Sequence, residues 1–103
     1  MVRAIFTRSA HGLEGFEVTG HADYDPEGED IVCASVTSAV QLTANGITEI
    51  LGVPATVSVE ENRVSLTLPA FPQEGAREFL QALYLHLTLL EQEFPQHITV
   101  SEV

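Results

Sequence analysis

Apolar and polar side chains alternate in five short stretches of this chain and recur at three- and four-residue spacing in two long ones, predicting five strands and two helices. Val2 to Arg8 and Glu14 to His21 read as the first two strands, with Ser9-Ala10-His11-Gly12 as a hairpin connection. In the second strand Phe16 and Val18 share one face, while Glu17, Thr19 and His21 share the other. That alternation sets His21 at a strand end, pointing away from the apolar side. Residues 31–50 carry no charge before Glu49, and Val32, Val36, Ala39, Leu42, Ile47 and Ile50 recur at helical spacing. A helix with so little charge is expected to be buried on more than one side, and Gly52 and Pro54 end it. Ala55–Val59 and Val64–Leu68 then alternate about Glu60-Glu61-Asn62-Arg63, the clearest hairpin in the chain. Pro69 to Pro72 breaks it. A second helix is expected over 73–93, stopped by Pro95, and Ile98-Thr99-Val100 reads as a last strand.

The order is therefore ββαββαβ over a single domain, 1–103. It predicts an α/β (α+β) two-layer sandwich: a mixed or mainly antiparallel sheet with two helices packed on one face. The Thr- and Ser-rich strand faces are left for water or another subunit. Leu85 and Leu89 widen the apolar stripe of the second helix, either to pack against the first helix or to meet a second copy.

Composition narrows the function classes. Of 103 residues 45% are apolar, and the formal net charge is −11, with four cationic side chains, all arginine, against fifteen carboxylates. Such a chain has no basic patch with which to displace counterions, which argues against direct nucleic-acid binding. A single cysteine rules out an internal disulfide and fits a reducing, cytoplasmic setting. Met1 to Phe6 shows no signal-peptide pattern, and no apolar run is expected to be long enough to cross a bilayer, so no membrane partner is expected. Five of the carboxylates, Asp23, Asp25, Glu27, Glu29 and Asp30, fall in one eight-residue window, suited to steering a basic partner.

The candidate chemistry lies around that window. Cys33 follows His21 across a strand end, an acidic loop and a helix start. With Asp30 as the helix cap, Cys33 becomes the third helical residue, where unpaired amides and the helix dipole favour a thiolate. The surrounding carboxylates oppose a lone thiolate but favour an imidazolium, so the field suits a Cys⁻/His⁺ pair. The same amides at the helix start are the expected oxyanion donors. On residues alone Cys33 also fits a small, inert core side chain. A calcium loop fits Asp23, Asp25, Glu27 and Gly28 but places Ala34 where a bidentate glutamate is needed. His11, His21, Cys33, His86 and His97 lack close zinc-ligand spacing. No metal or cofactor is expected.

The blocks Gly20-His21-Ala22 and Gly28-Glu29-Asp30-Ile31-Val32-Cys33-Ala34-Ser35-Val36-Thr37 resemble the ribosomal-processing cysteine protease family, Prp. The resemblance implies that His21 and Cys33 are the catalytic dyad, with Gly20, Ala22, Gly28, Asp30 and Thr37 in structural or orienting positions. It departs at Thr37, where the family usually has serine; the hydroxyl is kept and a methyl is added on the face of Cys33. The resemblance further implies a cytoplasmic homodimer. Such an enzyme removes a short N-terminal extension from a large-subunit ribosomal protein, cutting after an aromatic residue and before a basic segment. Asp23, Asp25 and Glu27 would then steer that basic segment. Two other readings remain: an acidic binding module in ribosome assembly with Cys33 merely packed, and a thiol peroxidase or redox sensor using Cys33 alone.

Overall fold

Alternation in the first nineteen residues produces a hairpin of β1 (Val2–Ser9) and β2 (Gly12–Thr19), in which Ala4 faces Val18 and Phe6 faces Phe16. The structure is a computed structural model and describes residues 1–20, 27–71 and 73–103, with 27–30 described by their backbone alone. Two helices follow the predicted spacing, α1 (Glu27–Asn45) and α2 (Ala76–Glu93), and three further strands, β3 (Thr56–Glu60), β4 (Arg63–Thr67) and β5 (Ile98–Glu102). The strand order is β3-β4-β2-β1-β5, with β1 and β5 parallel and every other pair antiparallel. The sheet is therefore mixed and mainly antiparallel, as the ββαββαβ order predicts.

Register sorts the side chains. The row Phe6, Phe16, Leu66 and Val57 and the row Ala4, Val18, Val64 and Val59 lie on the helix side. Arg3, Thr19, Arg63 and Glu60 share the opposite, polar face, as do Ile5, Glu17, Ser65 and Ser58. The core fills with fully buried Phe6, Leu13, Leu66, Leu80, Leu87 and Ile98. The Phe6 ring meets Tyr84 edge-on at 5.1 Å and Phe16 at 6.1 Å, favourable aromatic geometries. β5 is tied in at both ends: the Val2 amide donates to the His97 carbonyl, and the Val103 amide to that of Phe6.

The first helix departs from expectation at both ends. It starts at Glu27 rather than after a cap at Asp30, taking the Asp30 backbone into the helix. At its other end Gly46–Ile50 widens into a π-turn. A Cβ at Gly46 would collide with the Phe79 ring, so the glycine permits close approach of α2. Contrary to expectation, Ile31–Ile50 is long and apolar enough, by length and composition, to cross a bilayer. Its Val32, Val36, Val40 and Ile47 instead enter the core, but the expected burial on more than one side is not found: Ile31 and Leu42 are 58% and 70% exposed. Leu85 and Leu89 do not pack against α1; they are 58% and 53% exposed.

Candidate active site

Gly20 is the last described residue before His21, and its backbone is built for a change of direction. β2 ends at Thr19, and Gly20 takes φ +86°, a left-handed conformation that L side chains rarely adopt. A Cβ there would also run into the Met1 carbonyl oxygen. The Gly20 amide donates to the Asn62 carbonyl at 3.1 Å, fixing this strand end against the β3–β4 turn. The second strand therefore ends at Thr19, two residues short of the predicted Glu14–His21 stretch. His21 itself, with Ala22, Asp23 and Asp25, lies outside the described residues, as does the geometry of the His21–Cys33 pair.

Cys33 is the seventh residue of α1, half-buried on its second turn. Because the helix starts at Glu27, the amide of Cys33 has an in-helix carbonyl four residues back, and the unpaired first-turn amides lie about one to two turns before it. The helix dipole fades within its first turn. The expected support of the Cys33 thiolate by the helix start therefore weakens with the earlier start. Gly28 and Asp30 sit in the backbone of α1's opening turns; Glu27 is its first residue.

Cys33 opens onto a cleft of about 370 Å³ between α1 and the outer half of the sheet. Gly20 and Thr37 border the same cleft, so these three sequence-predicted positions come together. The sheet wall is Val57, Val59 and Val64; Val36 and Val40 contribute from the helix, and Val18 from β2. The cleft exists because β3 is an edge strand. Val57 and Val59 face the helix side, yet remain 40% and 74% exposed, since no helix covers them. Glu60, Glu61 and Asn62 of the turn form one rim.

The one arginine lining the cleft is already engaged. Arg63 contacts Glu17 at 2.6 Å and Glu60 at 2.8 Å, and its pKa is raised, first by the hydrogen bond to Glu17. Glu61 is left as an exposed carboxylate on that rim. The arrangement sets a cysteine thiol beside an apolar, peptide-sized trough whose turn is acidic. Among the described residues no three His, Cys, Asp or Glu side chains group as metal ligands. Sequence reasoning missed Val57, Val59, Val64, Gln41, Asn45, Glu60 and Glu61 as cleft residues. The valines carried a signal, clean alternation, but not the strand order that leaves them uncovered.

Comparison with known proteins agrees with this geometry. The family description "Cysteine protease Prp" matches residues 1–99. The ribosomal processing cysteine protease Prp of Bacillus subtilis is 25% identical over 108 residues, spanning 98% of this chain and 96% of the relative. A crystal structure from Streptococcus mutans superposes with TM-score 0.91 at 26% identity, covering 100% of this chain and 94% of that one. The ribosomal processing protease Prp of S. aureus, solved with a substrate peptide, shares the fold with TM-score 0.92 at 20% identity over 100% of both chains. A cysteine-bearing helix beside an edge-strand cleft, on a chain matched almost end to end, places this protein in the Prp family of cysteine proteases.

Proposed function

We propose that this protease removes a short N-terminal extension from a large-subunit ribosomal protein, with His21 and Cys33 as its dyad. The observation that carries the reading is Cys33 opening on the valine-walled cleft, bordered by the Gly20 turn from which His21 follows. The Cys33 thiolate attacks the scissile carbonyl, and His21 protonates the leaving amine. Water activated by His21 then hydrolyses the acyl-enzyme. An aromatic side chain before the cut finds apolar surface in Val57, Val59 and Val64. The basic segment after it meets Glu60 and Glu61, together with the carboxylates Asp23, Asp25 and Glu27. The relatives' names support the substrate class: that of Bacillus subtilis is a ribosomal processing protease, and that of S. aureus was solved with a substrate peptide.

The protein acts in this reading as a cytoplasmic homodimer. Leu85 and Leu89, one turn apart on α2 and both more than half exposed, supply apolar surface for a second copy. Sedimentation should give twice the chain mass, falling to one chain in Leu85→Asp.

The activity is tested by incubating the protein with intact large-subunit ribosomal proteins and measuring product masses. A single shortened product is expected from the wild type. Cys33→Ser should fold and bind but lose cleavage by at least about a thousandfold in single turnover, because a neutral hydroxyl replaces the thiolate. His21→Ala should also lose turnover. Near-wild-type cleavage by Cys33→Ser would overturn the covalent mechanism.

A further inference from the structure

Four residues of α1 face the cleft at a spacing of four: Cys33, Thr37, Gln41 and Asn45. After the nucleophile, then, one helical edge carries a hydroxyl and two carboxamides, opposite a wall of valines. The three polar side chains are exposed and make no hydrogen bond among the described residues, whereas Thr43 and Thr48 donate to the carbonyls of Ala39 and Ala44. Each of the three both donates and accepts, which suits main-chain N–H and C=O groups. The spacing suits them too. Four helical residues rise about 6.0 Å, and two residues of an extended peptide about 6.6 Å.

We propose that Thr37, Gln41 and Asn45 form a backbone-reading ladder that holds the substrate in extended form, one rung for every two residues before the scissile bond. The inference rests on the protease reading above and adds its binding mode. Polarity along the cleft follows from the topology. Gly20 and the acidic β3–β4 turn lie at one end of the sheet, and β3 begins at the other, which the π-turn after α1 approaches: its Ile47 carbonyl accepts from the Val53 amide. With the basic segment after the cut drawn to Glu60 and Glu61, the residues before the cut run along α1 toward Asn45. From Cys33 to Asn45 is about 18 Å of helix, room for five or six extended residues. Alternate side chains of that segment point at Val57 and Val59, so the ladder reads length and extension, and the valine wall reads side-chain type.

The test uses synthetic peptides with phenylalanine before the cut and an arginine-rich segment after it, carrying two, four or six residues before the scissile bond. Expected is a stepwise rise in kcat/KM with length, mostly through KM. Gln41→Ala should reduce kcat/KM of the six-residue peptide three- to tenfold, the size of one lost hydrogen bond, and leave the two-residue peptide unchanged. Asn45→Ala should affect only the six-residue peptide. Equal losses on short and long peptides, or no length dependence, overturn the ladder. Binding of the same series to Cys33→Ser, by calorimetry, keeps the two ideas separable. Length-dependent binding weakened by Gln41→Ala supports the ladder even where no peptide is cut, a result that would count against the protease reading alone; length-independent binding overturns the ladder.

Discussion

Gly20 shows how much a single residue decides at this site. Its left-handed φ and the nearby Met1 carbonyl leave no room for a side chain, and it supplies the last described backbone before His21. Gly20→Ala should therefore cost about 1–3 kcal/mol of stability from strain, and it should also lower cleavage. Gly52 is the control: its φ is +66°, but nothing lies within 4 Å of a Cβ built there. Chemical denaturation of both variants should show the larger loss for Gly20→Ala, with activity falling only in that variant. Equal behaviour would mean that the collision with Met1 relaxes and that Gly20 does not aim the chain. That Gly20 precedes the candidate histidine was legible in the sequence; that it must be glycine was not, because the colliding carbonyl belongs to the far end of the neighbouring strand.

At the scale of elements, carboxylates pin the second helix to the sheet: Glu91 accepts from the Val100 amide, and Glu14 and Glu102 bind from the strands. Glu14 on β2 accepts from Ser9 at 2.5 Å and from Arg77 on α2 at 2.7 Å, which holds its pKa below the ordinary carboxylate value. Glu102 on β5 is lowered likewise, first by its hydrogen bond from Arg8 at 2.6 Å and then by one from Tyr84. A carboxylate with a depressed folded-state pKa contributes stability that is present above its unfolded value, about 4.3, and is lost as pH falls through the folded value. Acid should thus loosen the attachment of α2 and β5. Thermal melts should show Glu14→Gln less stable than wild type at pH 7, with the gap closing below pH 4. A gap that stays constant across that range would show that the contact contributes nothing through its charge. Sequence periodicity placed both strands and the helix correctly. It did not pair Glu14 with Arg77, 63 residues apart, because nothing local encodes that contact.

At the scale of the whole molecule, charge and chemistry are arranged together. A net charge of −11 with all four arginines as its only cations gives a field that attracts basic peptides to the molecule at large. The acidic β3–β4 turn focuses it at one end of the cleft. Cleavage of a peptide with an arginine-rich segment after the cut should weaken as salt rises, through KM more than kcat. Replacing Glu60 and Glu61 by glutamine, or Asp23, Asp25 and Glu27 by their amides, should flatten that response while leaving the fold intact. An unchanged salt slope in initial rates after both replacements would reduce these carboxylates to ordinary solvated surface.

Much of this protein is determined locally. The two periods of its apolar residues specify five strands, two helices and their order, since amphipathic alternation is a property of neighbours along the chain. The blocks around His21 and Cys33 likewise carry the family resemblance in the sequence itself. The cleft belongs to the tertiary structure. Val57 and Val59 read as half of a buried hairpin face, and only the position of β3 at the sheet edge leaves them uncovered beside Cys33. Gln41 and Asn45 read as solvated helix positions until that wall stands opposite them. The start of α1 at Glu27, and with it the removal of Cys33 from the helix terminus, is also a matter of where backbone hydrogen bonds close; each turn depends on the next, so no single capping residue settles it.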